Sequence, residues 1–226
     1  MYCWSWFKLR WDNLPIAMKL IDSVALLIFV RNPVYGKVKT RLAKDIGDDK
    51  ALEIYKSLLK HTFSITQRLN CKKFVYYADG IVEDDIWNLA DFFKRQQEGS
   101  DLGERMHHAM NELFLQGFTK VILIGSDCFE LNTLVLEEAI SQLDQNDAVL
   151  GPANDGGYYL LGLIDIIPEL FANKIWSTDQ VAKDTINDLE KLQKNYYLLP
   201  KLNDIDDASD LELFEKSEWY KTILNL

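Results

Sequence analysis

The stretch Val24–Val30, VALLIFV, places seven apolar residues in a row without a polar interruption. A strand with one wet face would alternate, so an unbroken run this long and this rich in β-favouring residues belongs in a sheet covered on both sides. The segment KVILIGSD repeats the pattern over Lys120–Ile124 and stops at a carboxylate, Asp127. Strands of this kind, alternating with helical stretches, point to an α/β chain. The expected fold is a three-layer sandwich around a mostly parallel, mixed central sheet with right-handed crossovers.

The rest of the chain fits that frame. From Asp48 to about Leu69, Ala51, Leu52, Tyr55, Leu58 and Leu59 follow helical spacing. Asp48 and Asp49 stand where a helix dipole favours negative charge. Lys73–Ala78 reads as a strand, 81–94 as a helix carrying Ile86, Leu89 and Phe93, and the residues after QQEGSDLGERM as a helix to about Gln116. Asn132 and Thr133 are cap residues for a helix through Leu143. Ala148–Gly151 and YYLLGLI are strands joined through PANDGG, a turn too short for a crossover, so this pair is expected to run antiparallel. Helices are expected over 177–192 and 208–216, with a short strand ending near LLP between them. In open α/β sheets ligands lie beyond the carboxyl ends of the strands. The loops after Val30 and Ile124 should therefore open on one edge.

At 226 residues, with 48% hydrophobic and 27% charged, the chain suits one globular domain without repeat or linker. A net charge of −10 excludes a broad nucleic-acid surface but allows a local basic loop to hold phosphates. Cys3, Cys71 and Cys128 are scattered, which suits a reducing, cytoplasmic setting and argues against a disulfide or structural zinc framework. No apolar run reaches the roughly 20 residues of a bilayer span, so no stable membrane insertion is expected. The first seventeen residues mix Trp4, Trp6, Phe7 and Trp11 with Lys8 and Arg10, and contain no apolar core of a signal peptide. From Met18 the sequence reads as a natural lead-in to the first strand. The expected organisation is an atypical extension over 1–17 and a single domain over 18–226.

Three constellations can carry chemistry. Lys37, Lys39, Thr40 and Arg41 follow Gly36 in the loop after the first strand. Lysine supplies a point charge and arginine a fork for two phosphate oxygens, although the spacing is not that of a P-loop. The plainer alternative is a solvated basic helix start. Asp127 ends a buried strand, where a carboxylate is costly without a partner. Mg²⁺ or Mn²⁺ would serve and would bridge to a diphosphate, whereas the alternative is a cap on the next helix. Asn154–Tyr159 (NDGGYY) offers Asp155 as a second carboxylate and Gly156 and Gly157 for close backbone approach, yet it is also what a tight reversal requires.

Weaker features are Asp101 and Arg105, which either open a pocket for base or acceptor or simply begin a helix. His107 and His108 are adjacent and read as structural. Trp176 reads as a core residue and Cys128 as an inert buried thiol. Asp204, Asp206, Asp207 and Asp210 lack the Gly and closing Glu of a calcium loop, and are read as helix capping.

The segments FVRNPVYGKVKTRLAKDIG, GSDLGERM, VILIGSDCFEL, VLGPANDGGYYLLGL, IWST and LPKLNDIDDASDL occur in that order. Together they closely resemble a bacterial family of unknown precise function classed as glycosyltransferase A-like proteins, from Ser23 to Leu211. The resemblance implies the nucleotide-diphospho-sugar transferase (GT-A) fold, with Asp127 as metal ligand for Mg²⁺ or Mn²⁺. It matches the basic loop at Lys37, Lys39 and Arg41, and the Gly-Gly segment at Asp155, Gly156 and Gly157. The family usually has Pro after the Cys where this chain has Phe129, which implies a looser loop around the metal.

Fold does not settle reaction. The leading expectation is a metal-dependent glycosyltransferase using a nucleotide sugar and an unidentified acceptor, with Asp127 and Asp155 as its carboxylates. On this reading Lys37, Lys39, Arg41, Asp101, Arg105, Gly156 and Gly157 bind the nucleotide and its phosphates. The alternative is a nucleotidyltransferase that attacks the α-phosphorus of an NTP. A catalytically silent nucleotide-binding protein is the third reading.

Overall fold

A computed structural model of the chain describes residues 24–216. The 1–17 extension lies outside the described residues. Seven strands form one sheet: β1 (Val24–Val30), β2 (Lys72–Tyr77), β3 (Phe92–Gln96), β4 (Lys120–Ile124), β5 (Ala148–Pro152), β6 (Tyr158–Leu163) and β7 (Tyr196–Leu198). Their order is β3-β2-β1-β4-β6-β5-β7. Only β6 among them runs against the rest, pairing antiparallel with both β4 and β5. The helices are α1 (Thr40–Ile46), α2 (Asp48–Thr66), α3 (Leu102–Leu115), α4 (Thr133–Gln142), α5 (Val181–Lys191) and α6 (Ala208–Lys216).

The unbroken apolar run of β1 is used on both sides. Leu26, Ile28 and Val30 pack with Tyr55 and Leu59 of α2 and Leu136 of α4. Ala25 and Leu27 face Met110 and Leu113 of α3 and Leu189 of α5. That is the three-layer sandwich the apolar pattern predicts, since each face of a two-sided strand must find its own layer of helices.

The helix expected over 81–94 is not there. Residues 81–91 form a chain of turns and Phe92–Gln96 is strand β3. Asp85 accepts hydrogen bonds from the Trp87 N–H and the Tyr77 hydroxyl, and the Lys94 ammonium reaches the carbonyls of Val82 and Glu83. Side chains that bond nearby backbone in this way compete with helix formation. Ile86 and Leu89, the apolar residues behind the helical spacing, are exposed, whereas Trp87 is buried against Phe63 and Phe92. Two smaller corrections concern helix starts. Thr40–Ile46 is helical rather than loop, and α5 begins at Val181, four residues later than expected.

A third cluster beside α1 and α2 contains Leu42, Ile54, Leu58, Phe129, Ile205, Leu211 and Phe214. Phe129 is fully buried, its ring 4.9 Å from that of Phe214 on α6. Packing of the phenyl ring anchors the segment after Cys128 to α6.

Candidate active site

From β1 the chain steps sideways to β2 and then β3, and β4 returns to the other side of β1. Strand order reverses there, so the crevice beyond the carboxyl ends of β1 and β4 is the place for a ligand. A cleft of about 610 Å³ opens there, lined by residues of the β1 and β4 loops, α2 and the start of α3. That volume lies within the range of small-molecule sites.

The cleft is built around Lys39. Its Nζ donates to Asp127 Oδ2 at 2.6 Å and to Asp206 Oδ1 at 2.9 Å, with the side chain only 4% exposed. Burial alone would lower the ammonium's pKa, but the charges and hydrogen bonds of Asp127 and Asp206 outweigh it, and the net shift is upward. Lys39 precedes α1 in a left-handed backbone conformation (φ 47°, ψ 43°), uncommon for a residue with a side chain. Arg41 donates to the other oxygen of Asp206 at 2.6 Å but is itself 65% exposed. Lys37 is also exposed and lines the same cleft, as do Arg31, Asp101 and Arg105.

Tyr55 ties the two loops together. Its hydroxyl donates to the Arg31 carbonyl and accepts from the Arg31 N–H, and it lies 3.5 Å from Ser126 Oγ. Burial and the nearby Asp127 charge push the phenol up to about 12. The Ser126 hydroxyl donates to Asp127 Oδ1 at 3.2 Å.

Asp206 reaches Lys39 because the segment after β7 lies alongside the β4 loop. Cys128 and Asp204 form an antiparallel bridge, and the Ile205 N–H donates to the Asp127 carbonyl. Asn154 and Glu130 hold Asn203 from either side. Asp204 is pushed up to about 7 by burial and by the charges of Asp155 and Asp206. Asp206 is also burdened by burial, but Lys39 and Arg41 hold it below the usual carboxylate range.

The residues singled out from the sequence divide into two groups. Lys37, Lys39, Arg41, Asp101, Arg105 and Asp127 share the cleft. Asp101 also caps α3, accepting from the Glu104 N–H, and Arg105 Nε donates to the Gly99 carbonyl. Asp155, Gly156 and Gly157 stand apart from it. Asp155 is exposed and accepts from the Gly157 N–H, while acting on Asp204 through its charge. At Gly156 (φ +91°) a Cβ would lie 2.1 Å from the Asp179 carbonyl oxygen, so the space a side chain would fill is taken by the chain's own backbone. The alternative of Asp127 as a helix cap does not hold, because Asn132 caps α4 through the N–H groups of Leu134 and Val135.

The reading of 204–210 as capping is half corrected. Asp207 accepts from the Ser209 and Asp210 N–H groups, as a cap should, whereas Asp206 belongs to the cleft. Arg31 and Tyr55, which no sequence motif marks, also line the cleft. Cys128 is buried, its thiol pushed up to about 12 chiefly by burial, as an inert cysteine should be. His107 packs on Phe171 and His108 bonds the Glu98 carbonyl, and neither lines the cleft.

The fold is that of nucleotide-diphospho-sugar transferases and related nucleotidyltransferases. A crystal structure from Desulfovibrio desulfuricans G20, provisionally named a nucleotide-diphospho-sugar transferase, is 32% identical. It matches 90% of this chain and 94% of its own, with a TM-score of 0.82. The chain belongs to the family described as uncharacterized proteins conserved in bacteria (DUF2064), whose model matches residues 62–178.

More distant structures share the architecture alone. The inositol-1-phosphate CTP transferase from T. maritima is 12% identical over 91% of this chain and 96% of its own (TM-score 0.55). The 4-diphosphocytidyl-2C-methyl-D-erythritol synthase from Anaerococcus prevotii DSM 20548 is 10% identical over 88% and 97% (TM-score 0.55). No curated protein matches the chain significantly. No helix among the described residues is long and apolar enough to cross a membrane.

Proposed function

We propose that this protein is a glycosyltransferase that takes a nucleotide-diphospho-sugar as donor and a hydroxyl group as acceptor. The observation that carries the reading is the division of charge in the site. Arg31, Lys37, Lys39, Arg41 and Arg105 line the cleft against three acids, Asp101, Asp127 and Asp206, in a chain whose net charge is −10. Such a local cationic excess suits a diphosphate. Asp204, two residues before Asp206 and bridged to Cys128 next to Asp127, is coupled by charge to Asp155 and lies near 7. Breaking the bond from the anomeric carbon to the diphosphate and forming one to a hydroxyl releases a proton. A carboxyl group titrating near neutrality is suited to receive it. Asp204 is the proposed base and Asp155 the neighbour that sets its proton affinity. The name of the Desulfovibrio structure points the same way.

Mg²⁺ or Mn²⁺ at Asp127 belongs to this proposal. Asp127 is 40% exposed, and its Oδ1 meets the Ser126 hydroxyl. Among the described residues no three of His, Cys, Asp and Glu are grouped to hold a metal ion. A part-exposed carboxylate in a cleft lined for phosphates fits the Mg²⁺ pattern, in which one or two carboxylates are completed by substrate phosphates and water. When bound, the ion would neutralise the departing diphosphate. The chain's own contribution is to hold the phosphates with Lys39, Arg41 and Lys37, and to keep the β1 and β4 loops in register through Tyr55.

The basic excess also favours a second reading, transfer of a nucleotidyl group from an NTP, whose triphosphate carries more charge. A phosphate or carboxylate acceptor arrives ionised and needs no base, so Asp204 would then be idle. A thermal-shift panel of UDP-, GDP-, ADP- and CMP-sugars against NTPs, with Mn²⁺ or with EDTA, separates the two. Ligand at about a hundred times its Kd stabilises by about 2.7 kcal/mol, a rise of roughly 5–10 °C for a domain of this size. The glycosyltransferase reading requires a nucleotide sugar to give that rise and EDTA to remove it. A rise with an NTP and with no nucleotide sugar supports nucleotidyl transfer, and no rise with any nucleotide refutes both.

A further inference from the structure

The cleft holds its own cation. Lys39 Nζ lies within hydrogen-bonding distance of Asp127 and Asp206, two carboxylates far apart in sequence, and is almost entirely shielded from water. A second positive ion brought to Asp127 would meet the ammonium at close range. Both Asp127 oxygens already have partners, Oδ2 the Lys39 ammonium and Oδ1 the Ser126 hydroxyl.

We propose that Lys39 latches the ligand-free site, occupying Asp127 until the diphosphate of a donor draws the ammonium away, so that metal and nucleotide enter together. The inference rests on the metal-and-diphosphate reading above and adds the order of events. Opening the latch strands neither carboxylate. Asp206 keeps Arg41, and Asp127 keeps the Ser126 hydroxyl and its exposure to water. The ammonium in turn exchanges two carboxylate oxygens for phosphate oxygens, like for like in charge-assisted bonds. Lys39 lines the cleft, and its flexible four-carbon stem carries the ammonium that a phosphate there would meet.

The test is Mn²⁺ binding followed by electron paramagnetic resonance, with protein-free blanks, for Mn²⁺ alone and with UDP, GDP, ADP or CDP. Wild type is expected to leave Mn²⁺ free when it is alone and to bind it when one of the nucleotides is added. Lys39→Met is expected to bind Mn²⁺ alone at least about tenfold more tightly than wild type, as relief of a like-charge contact requires. Adding Asp127→Asn to that variant should abolish the gain. Stoichiometric binding of Mn²⁺ by nucleotide-free wild type overturns the latch and needs no variant to show it. A folded Lys39→Met no tighter than wild type also overturns it, even where nucleotide binding remains metal-dependent. Nucleotide binding undiminished by EDTA overturns the metal reading itself, and this inference with it.

Discussion

Removing one carboxylate from Lys39 should cost more stability than removing Lys39 itself. In Asp127→Asn, an ammonium that is 4% exposed loses its 2.6 Å partner and keeps only Asp206, which it already shares with Arg41. Breaking a buried ion pair by deleting one partner costs about 3–5 kcal/mol, because the surviving charge stays buried. Here the second carboxylate remains, the lost one was 40% exposed, and the new amide still offers an oxygen. Solvent screening at that exposure reduces the figure to about 1–2 kcal/mol. For a domain of this size that lowers Tm by about 3–6 °C. In Lys39→Met the surviving groups are Asp127 and Asp206, 40% and 34% exposed, which water can solvate, and the methionine refills the buried channel. That change should lie within about 1 kcal/mol of wild type. Urea denaturation of wild type, both single variants and the double variant gives the comparison, with the double expected to recover most of the Asp127→Asn loss. If Lys39→Met costs as much as Asp127→Asn, the ammonium is a net stabiliser and the argument from its burial is wrong.

Other residues give further expected outcomes. With nucleotide sugar and acceptor in hand, activity should rise with pH through about 7 as Asp204 ionises, and Asp204→Asn should abolish turnover while leaving donor binding intact. Because folding raises that carboxyl's pKa above its unfolded value near 3.9, its contribution to stability is present below about pH 4 and lost as pH rises through 7. Asp204→Asn should therefore flatten that part of the stability profile in denaturant titrations from pH 4 to 8. Phe129→Ala, which empties a site in the third cluster, should cost about 3–5 kcal/mol by chemical denaturation and weaken donor binding as the Asp127 loop loses its anchor. Gly156→Ala should be destabilising by more than about 1 kcal/mol, because its Cβ would meet the Asp179 carbonyl at a left-handed φ, and retained wild-type Tm would contradict that packing.

Most of the sheet was legible because its signal is local. VALLIFV and VILI are apolar on every position, and only a two-sided layer satisfies them. The antiparallel pair β5/β6 was legible because a short Gly-containing turn between two strands leaves no room for a crossover. Residues 81–94 misled for an equally physical reason. Ile86, Leu89 and Phe93 fall at helical spacing by composition alone, and nothing local says that Trp87 and Phe92 are the residues that go inside. The decisive interactions there are Asp85 with Tyr77 and Lys94 with Val82 and Glu83, which exist only once β2 and β3 have paired.

The site divides along the same line. Lys37, Lys39, Arg41 and Asp127 could be picked out because each follows a recognisable buried strand, and the ends of parallel neighbours must share an edge. Asp206 could not, since a short acidic run before a helix is indistinguishable in sequence from ordinary capping, and Asp207 does cap. What separates the two aspartates is backbone geometry: the bridge from Cys128 to Asp204 and the Ile205 N–H on the Asp127 carbonyl fix which of them meets Lys39. Phe129 belongs to the same geometry, because its ring packs in one cluster with Ile205 and Phe214. A residue that looked like a departure weakening the site is thus placed to hold together the two segments that carry its carboxylates. The loss of donor affinity expected in Phe129→Ala follows from that placement rather than from any contact between Phe129 and a ligand.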